Sequence, residues 1–343
     1  LVEWFEQRQW HVWDKGSMNL NEQYNLLMDG KYAEAKAMCY QLHEDAPWNN
    51  DIAFNSGWFK LSDGEVVDGY TPLDRGREKG PHGHVWGDPH FGSTQPIWRG
   101  TPNCTVLLRL ERGMGDQFHQ VRYARQLKAK GCTVVVSGQA ALADVLRHAD
   151  DVDVVVQHEA AAGVLHDFYL PAMSSPMYMG EDCIQGGAYI ERPPVAVVPN
   201  RVGLCWQGNS AYEHETKRKF PAELLFNVMA GRGDCISLQR DEGFDLCPDW
   251  VERVNLNTWV DTATEMARCS LIVTSCTSIA HLAGAMGIPT MIIVPVVPYY
   301  LWTLPGISTP HYDSVTLLRQ TDPDDWLAPF NQLAEMVTLR EAA

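Results

Sequence analysis

Apolar residues recur at helical spacing through the first part of the chain. One apolar stripe lies in residues 24–28 and ends at Gly30, and the next lies in residues 32–42. A spacing of three to four residues places such side chains on one face of a helix. The same pattern restarts and is broken again at Gly64, so the spacing predicts two pairs of short helices.

From residue 105 onward, short apolar runs alternate with segments of helical spacing. Runs that are apolar at every position suit parallel strands, which are buried on both faces. The predicted strands are 105–110, 133–137, 152–157, 202–206, 235–238, 271–275 and 290–294, with helices between them and a last helix over 324–339. This alternation predicts an α/β fold with parallel sheets built from right-handed βαβ units.

Breaks rich in Pro and Gly divide the chain into units. The predicted units are a helical module over 1–80, a linker over 81–102, a Rossmann-like domain over 103–195, a second over 196–320 and a C-terminal helix over 321–343. Two such domains are expected to face each other across a cleft. Because ligands bind outside the carboxyl ends of parallel strands, the chemistry is expected just after each strand.

Charge and composition restrict the function. Lys and Arg total 27 and Asp and Glu total 43, which gives a net charge of −16. A surface this acidic repels nucleic-acid polymers and anionic membranes. The 9 cysteines show no C-x-x-C spacing, which predicts reduced thiols in a cytoplasmic protein. No apolar run approaches the roughly 20 residues of a membrane helix, so no transmembrane segment is expected.

The first candidate site follows the first predicted strand. Gly113 and Gly115, with Met114 between them, would let the backbone approach a ligand, and the next helix start offers N–H groups to an anion. Asp116 lies at this rim, where it could take a proton from a hydroxyl nucleophile or only cap the helix. The pattern is not a dinucleotide fingerprint, because Phe118 replaces its third glycine.

The second candidate site follows the strand predicted at 202–206. The residues concerned are Trp206, Gly208, Asn209, Lys217 and Arg218. Lys217 and Arg218 belong to the densest basic run of an acidic chain, and a guanidinium there could hold a diphosphate through paired hydrogen bonds. Taken alone, such a run is ordinarily a solvated surface segment.

The third candidate site is the helix start after the strand at 271–275. Its residues are Cys276, Thr277, Ser278 and His281, with Gln239 as a weaker candidate at another strand end. Hydroxyls crowd this turn, and free N–H groups at residues 277–279 would bind a phosphate. The alternatives are an inert buried thiol at Cys276 and a buried histidine with a satisfied partner at His281.

In their order, these motifs resemble those of bacterial GT-B glycosyltransferases linked to tetratricopeptide repeats. Such enzymes are related to the heptosyltransferases of glycosyltransferase family 9 and, more distantly, to the O-GlcNAc transferases. The matching segments are PIWRG, LLRLERGMGD, RYARQL, VGLCWQGN, KRKFPAELL, SLQ, TSIAHLAGAMGIPT, YDSVTLLRQ and DDW. The helical module resembles two such repeats, because glycines recur in it at a spacing of 34 residues.

The resemblance implies a GT-B fold and a hexosyl- or heptosyltransferase-like enzyme. It would move a sugar from a nucleotide-diphosphate donor to a hydroxyl of a glycan, lipid-linked saccharide or protein, with inversion and without a metal or cofactor. Asp116 would be the base, in an acceptor-facing turn. Arg218 would contact the diphosphate. The remaining donor-side matches are Gly208, Asn209, Thr277, Ser278 and His281. The repeats could dock a protein partner.

Two departures from the family pattern bear on the donor. Cys276 stands where many relatives have Asp, and residues 215–216 are Glu-Thr where relatives often have Asp-Arg. Two other functions therefore stay open, namely a nucleotide-sugar epimerase of the same fold and an inactive docking protein. His82, His84 and His90 lie close together in the linker, but no spacing matches a zinc pattern and no metal site is predicted.

Overall fold

A computed structural model describes residues 18–77, 93–209, 218–240, 242–323 and 325–341. The first of these ranges is the helical module. It contains α1 (Met18–Met28), α2 (Tyr32–Asp45), α3 (Asn50–Ser62) and α4 (Val66–Asp74). Gly30 and Gly64 follow α1 and α3 with φ of 76° and 85°, a region that favours glycine. The two helix pairs are those that the apolar spacing predicts.

The first α/β unit is a parallel sheet of four strands with short helices. Its strands are β1 (Thr105–Arg109), β2 (Thr133–Gly138), β3 (Val154–Gln157) and β4 (Phe168–Pro171), in the order β3-β2-β1-β4. Its helices are α5 (Met114–Gln120), α6 (Ala124–Ala129), α7 (Ala143–Leu146) and α8 (Ser175–Met179). Helical spacing over 117–130 predicts one helix, whereas a 3-10 turn at Val121–Tyr123 divides it into α5 and α6.

The second α/β unit is a parallel sheet of six strands. Its strands are β5 (Arg201–Cys205), β6 (Asp234–Ser237), β7 (Glu252–Arg253), β8 (Leu271–Ser275), β9 (Thr290–Val294) and β10 (Val315–Arg319). Its helices are α9 (Ala222–Met229), α10 (Trp259–Ala267), α11 (Ser278–Ala285) and α12 (Leu327–Glu341). The order β10-β9-β8-β5-β6-β7 is that of doubly wound nucleotide-binding sheets.

Strand order fixes where ligands can approach each sheet. The order reverses between β1 and β4 in the first unit and between β5 and β8 in the second. Crevices open at the carboxyl ends of the strands at such a reversal. The turns after β1, β5 and β8 lie at these points, and they carry the three candidate sites.

The helical module shares its core with the two α/β units. One apolar cluster contains Phe59 and Leu73 of the module together with Leu108 of β1 and Ile292 of β9. At the surface of the module, a Cβ added to Gly64 would lie 3.1 Å from Leu304 Cδ2. The module therefore packs against the second unit, as expected for a helical array too short to bury its own apolar face.

Gly57 sets the closeness of α3 and α4. A Cβ at this position would lie 2.4 Å from the backbone nitrogen of Leu73 and 2.6 Å from the carbonyl oxygen of Gly69. Backbone atoms cannot yield unless the helices separate, so we expect Gly57→Ala to lower the free energy of unfolding by about 1–3 kcal/mol. Chemical denaturation measures this loss. Gly163→Ala is the control, because nothing lies within 4 Å of its added Cβ; equal stability of both variants would contradict the account.

Candidate functional site

The turn between β1 and α5 holds Asp116 in a fixed position. Its Oδ2 accepts a hydrogen bond of 3.0 Å from the backbone nitrogen of Gly113, which caps α5. Its Oδ1 accepts a hydrogen bond of 2.9 Å from the hydroxyl of Tyr299, a residue that follows β9 in the second unit. One oxygen thus has the capping role, while the other faces the second unit.

The surroundings of Asp116 change its proton affinity. The side chain is half-buried. Burial raises the pKa of the Asp116 carboxyl, and this effect outweighs the lowering by the Tyr299 hydroxyl and the Arg112 guanidinium. A carboxylate of raised pKa is a better proton acceptor near neutral pH. The geometry and the pKa are both compatible with general-base chemistry.

Arg112 gives the same turn an unusual backbone. Its φ is +67°, in the left-handed region that long side chains seldom adopt. Its carbonyl oxygen accepts hydrogen bonds from Gln117 Nε2 at 3.2 Å and from Gln139 Nε2 at 3.0 Å. These two amides hold the strained residue in place, and such strain is concentrated at functional sites. Arg112 belongs to the turn segment that the sequence indicates, but no sequence pattern indicates its left-handed backbone or the part of Gln117 and Gln139 in the site.

The turn after β5 is fixed by two of the predicted donor-site residues. Gln239 Oε1 accepts from the backbone nitrogens of Trp206 and Gln207, both at 3.1 Å, and its Nε2 donates to the Gln207 carbonyl at 2.9 Å. The Trp206 indole is buried, and its Nε1 donates to the Gly243 carbonyl at 3.0 Å. Both side chains support the backbone, and their contact with a donor stays a prediction.

Arg218 connects the basic run to the turn after β8. Its Nη1 donates a hydrogen bond of 2.9 Å to the carbonyl oxygen of Cys276. The Arg218 side chain and Gly208 are half-buried, and Asn209, at the end of the turn after β5, is exposed. Lys217 lies outside the described residues. Two segments that the sequence predicts separately as donor-binding therefore meet.

The hydroxyl-rich turn after β8 is tightly packed. The backbone nitrogen of Thr277 donates to the Ser275 carbonyl at 2.8 Å, and Thr277 Oγ1 lies 3.4 Å from Thr274 Oγ1. The expectation of free N–H groups at residues 277–279 is therefore wrong for Thr277, because the chain makes a tight turn there and α11 begins at Ser278. Cys276 is a buried thiol.

His281 is a buried histidine with a partner. Its Nδ1 lies 3.0 Å from the Tyr312 hydroxyl, and its ring stacks on Trp302 with 5.0 Å between the ring centroids. Burial, with Arg122 and Arg218 nearby, lowers the pKa of His281 to about 3. The ring is therefore neutral near neutral pH and supports the start of α11.

The first and third candidate sites are in contact. A Cβ added to Gly115 would lie 2.8 Å from His281 Cδ2 and 3.2 Å from Ser278 Cα. At the same junction, Trp259 Nε1 at the start of α10 donates to Met114 Sδ at 3.1 Å. Glycine at position 115 lets the turn of the first unit approach the helix start of the second. The predicted acceptor and donor elements therefore adjoin.

Two findings concern metals and membranes. Within the described ranges, no three or more His, Cys, Asp and Glu side chains are grouped so that they could hold a metal ion. His82, His84 and His90 lie outside these ranges. Among the helices that are described, none has the length and apolar character needed to span a bilayer.

Similarity to known proteins is evident in the fold. No protein-family model matches the chain, and no curated protein matches its sequence. The glycosyl transferase family 9 structure from Veillonella parvula shares 12% identity over 70% of this chain and 99% of that one, with a TM-score of 0.50. The Escherichia coli ADP-heptose lps heptosyltransferase II shares 13% identity over 70% of this chain and 100% of that one, with a TM-score of 0.47.

A mutant O-GlcNAc transferase from Thermobaculum terrenum covers more of the chain. It shares 11% identity over 94% of this chain and 90% of that one, with a TM-score of 0.29. The Veillonella parvula structure is described as a member of family 9, one of the groups that the sequence motifs resemble. At these identities, the likeness to the family 9 structure shows that the two chains share a fold.

Proposed function

We propose that this chain is a GT-B glycosyltransferase that moves a sugar from a nucleotide-diphosphate donor to an acceptor hydroxyl. The observation that carries the proposal is the junction where the Asp116 turn meets the start of α11, with Arg218 bonded to the adjoining turn. The residues that we propose as proton acceptor and as diphosphate-binding group are thereby brought to one junction between the two parallel sheets. The fold shared with a family 9 glycosyltransferase supports the same function.

The parts of the chain receive the following roles. Residues 103–195 would bind the acceptor and residues 196–320 the donor, with the C-terminal helix over 321–343 packed on the latter. The helical module, which we take to be tetratricopeptide-like, would support the α/β units and could dock a protein partner. The acceptor is a hydroxyl of a glycan, lipid-linked saccharide or protein.

The proposed reaction is a displacement at the anomeric carbon. Asp116 takes the proton of the acceptor hydroxyl as its oxygen attacks that carbon. The bond from the carbon to the diphosphate oxygen breaks with its electron pair, so a nucleoside diphosphate leaves and the configuration inverts. The proton ends on the Asp116 carboxylate and the electron pair on the nucleoside diphosphate, so the reaction needs no further reactant.

Charge on the leaving diphosphate has two sources of stabilisation. Arg218 offers a guanidinium, and the amides of Ser278 and Ile279 belong to the first turn of α11, where helix N–H groups lack intrahelical acceptors. Fixed donors aimed at developing charge contribute on the order of 3 kcal/mol each. A cation and a helix start can together take the role of a metal ion, so we propose a metal-independent enzyme without a cofactor.

Transfer should depend on pH through Asp116. The base acts in its ionised form, and burial raises the pKa of this carboxyl. As the pH falls through the raised pKa, the carboxylate is protonated and the rate declines. We expect the acid limb of kcat/KM, which reports the free enzyme, to lie above the ordinary Asp pKa of about 4. A profile of kcat/KM between about pH 3 and pH 9 measures it, and a limb at or below the ordinary Asp value would contradict the assignment.

Binding of nucleoside diphosphates tests the proposal without knowledge of the acceptor. Calorimetry with ADP, GDP, UDP, CDP and dTDP should show that at least one of them binds with a Kd in the range usual for enzyme substrates, about 1 μM to 1 mM. An absence of binding by all five would favour an inactive docking protein. Inorganic phosphate serves as the control for unspecific anion binding.

A further inference from the structure

Tyr299 reaches the predicted base from the opposite unit. It follows β9 and lies 183 positions from Asp116 in sequence, yet the two side chains share a hydrogen bond of 2.9 Å. The other carboxylate oxygen is held by the backbone nitrogen of Gly113 within the first unit. The orientation of the carboxylate is therefore set by one donor from each side of the junction.

The loop that presents Tyr299 is anchored in two directions. The Arg319 guanidinium in β10 donates to the carbonyl oxygens of Trp302, Leu304 and Gly306. On the other side, the buried Tyr300 packs against Tyr299 with 4.5 Å between ring centroids. A loop fixed in this way can present one hydroxyl at a constant position.

The helical module forms part of this anchorage. The Tyr300 hydroxyl lies 3.4 Å from the hydroxyl of Tyr70 in α4, and the two rings meet edge to face. Gly64 of the module also abuts Leu304. The module thus contacts the loop at Tyr300, the residue after Tyr299, and again at Leu304. The position of Tyr299 therefore depends on the module and on both α/β units.

We propose that Tyr299 is a positioning residue for Asp116, which orients the carboxylate and stabilises its ionised form when the second unit is seated on the first. This inference rests on the proposed function, because it assigns Asp116 the role of base. A phenol that donates a hydrogen bond to a carboxylate favours the charged form. Tyr299 therefore opposes the effect of burial on the Asp116 pKa. The ionised fraction and the orientation of this carboxylate thus depend on the contact between the two units.

The same contact does not exhaust the hydrogen-bonding capacity of Asp116 Oδ1. A carboxylate oxygen can accept two hydrogen bonds, so Oδ1 can bind an acceptor hydroxyl while Tyr299 stays in place. The opposite interpretation is that the phenol occupies the acceptor's position and blocks it. These two interpretations predict opposite effects when the hydroxyl is removed.

Three neighbouring groups contribute to the electrostatics at Asp116. Arg112 lies on the same turn and lowers the pKa of the carboxyl, as does Tyr299 from the second unit. His281 of α11 faces Gly115 but is neutral, since burial lowers the pKa of its ring to about 3. Removing the Tyr299 hydroxyl leaves Arg112 and the burial of the carboxyl unchanged. The difference in the Asp116 pKa between this variant and the wild type therefore reports the effect of Tyr299 alone.

Tyr299→Phe tests the proposal through the carboxyl itself. In protein labelled with ¹³C at the Asp carboxyl carbon, NMR titration follows Asp116, whose signal is identified by its loss in Asp116→Asn. We expect Tyr299→Phe to raise the pKa of Asp116 by about one unit, since a hydrogen bond to a charged group is lost. The matched control is Tyr40→Phe, which removes a tyrosine hydroxyl that donates to a carboxylate elsewhere, Asp63 Oδ2 at 3.3 Å in the helical module, and should leave this pKa unchanged. An unchanged pKa in Tyr299→Phe, or equal shifts in both variants, would overturn the proposal.

Kinetics supply the second readout. In Tyr299→Phe, the acid limb of kcat/KM should move to higher pH and kcat near neutral pH should fall about tenfold, with the acceptor KM unchanged. A lower acceptor KM or a higher kcat would overturn the proposal in favour of the blocking interpretation. If the wild-type chain shows no transfer, the proposed function fails, whereas the NMR titration still decides the role of Tyr299.

Discussion

Asp116→Asn is expected to lower the rate of sugar transfer by about 10²- to 10⁴-fold, the usual contribution of a general base. The amide has the shape of the carboxylate and its oxygen can still accept a hydrogen bond from Gly113 or Tyr299, but it cannot take a proton from the acceptor. Hydrolysis of the donor in the absence of acceptor should be lost as well. The measurements are kcat for both reactions, with calorimetry to show that nucleoside diphosphate binding is retained.

Asp261 provides the matched control for this variant. It occupies the same position in the first turn of α10 as Asp116 does in α5, and its Oδ2 accepts a hydrogen bond of 2.9 Å from the backbone nitrogen of Thr258. Asp261→Asn therefore weakens a helix cap of the same kind without touching the predicted base. Near-normal transfer in Asp116→Asn, or equal losses in the two variants, would reject the assignment of Asp116 as the base.

Arg218→Ala is expected to lower kcat by about 10²- to 10³-fold and to weaken nucleoside diphosphate binding. The substitution removes a fixed cation from the leaving diphosphate, and the loss of one such donor commonly costs this much. It also removes the hydrogen bond to the Cys276 carbonyl that ties the basic segment to the turn after β8. Arg218→Lys should be intermediate, because an ammonium keeps the charge but loses the paired donors.

Lys219→Ala is the control for loss of charge. Lys219 is the next residue along the chain and is exposed. In an acidic protein, any nearby cation attracts a diphosphate to some extent, but an exposed one is screened by salt. We expect calorimetry and kcat to change little in Lys219→Ala. Equal effects of the two alanine variants would contradict the specific role of Arg218.

The sheets were predictable where strands are buried on both faces. Leu271–Ser275 and Thr290–Val294 coincide with the predicted strands 271–275 and 290–294, because each is a continuous apolar run that ends at a turn. β4, β7 and β10 were not predicted as strands. β4 is an apolar run of only four residues, too short to indicate a strand by itself, whereas both residues of β7 are charged and exposed at the sheet edge and carry no apolar signal.

The candidate site was predictable only as far as strand ends indicate it. Asp116 and Ser278 follow β1 and β8, so the rule for parallel sheets is enough to select both turns. Tyr299 could not be found in this way. It lies in a loop without periodicity, and it reaches Asp116 through tertiary packing alone. Arg112 lies in the predicted turn, but its left-handed backbone was not predictable, because the side-chain amides of Gln117 and Gln139 hold it and not the residue's own preference.

The most direct test of the proposed glycosyltransferase activity is the turnover of the donor. The chain is incubated with ADP-, GDP-, UDP-, CDP- and dTDP-sugars, with and without a mixture of saccharide acceptors, and every product is identified by mass spectrometry and NMR. We expect one donor to release its nucleoside diphosphate and its sugar to appear on an acceptor or in water with inverted configuration. We expect Asp116→Asn to abolish this release. Conversion of a donor into its isomer without release of nucleoside diphosphate, or consumption of none of the donors, would contradict the proposed activity.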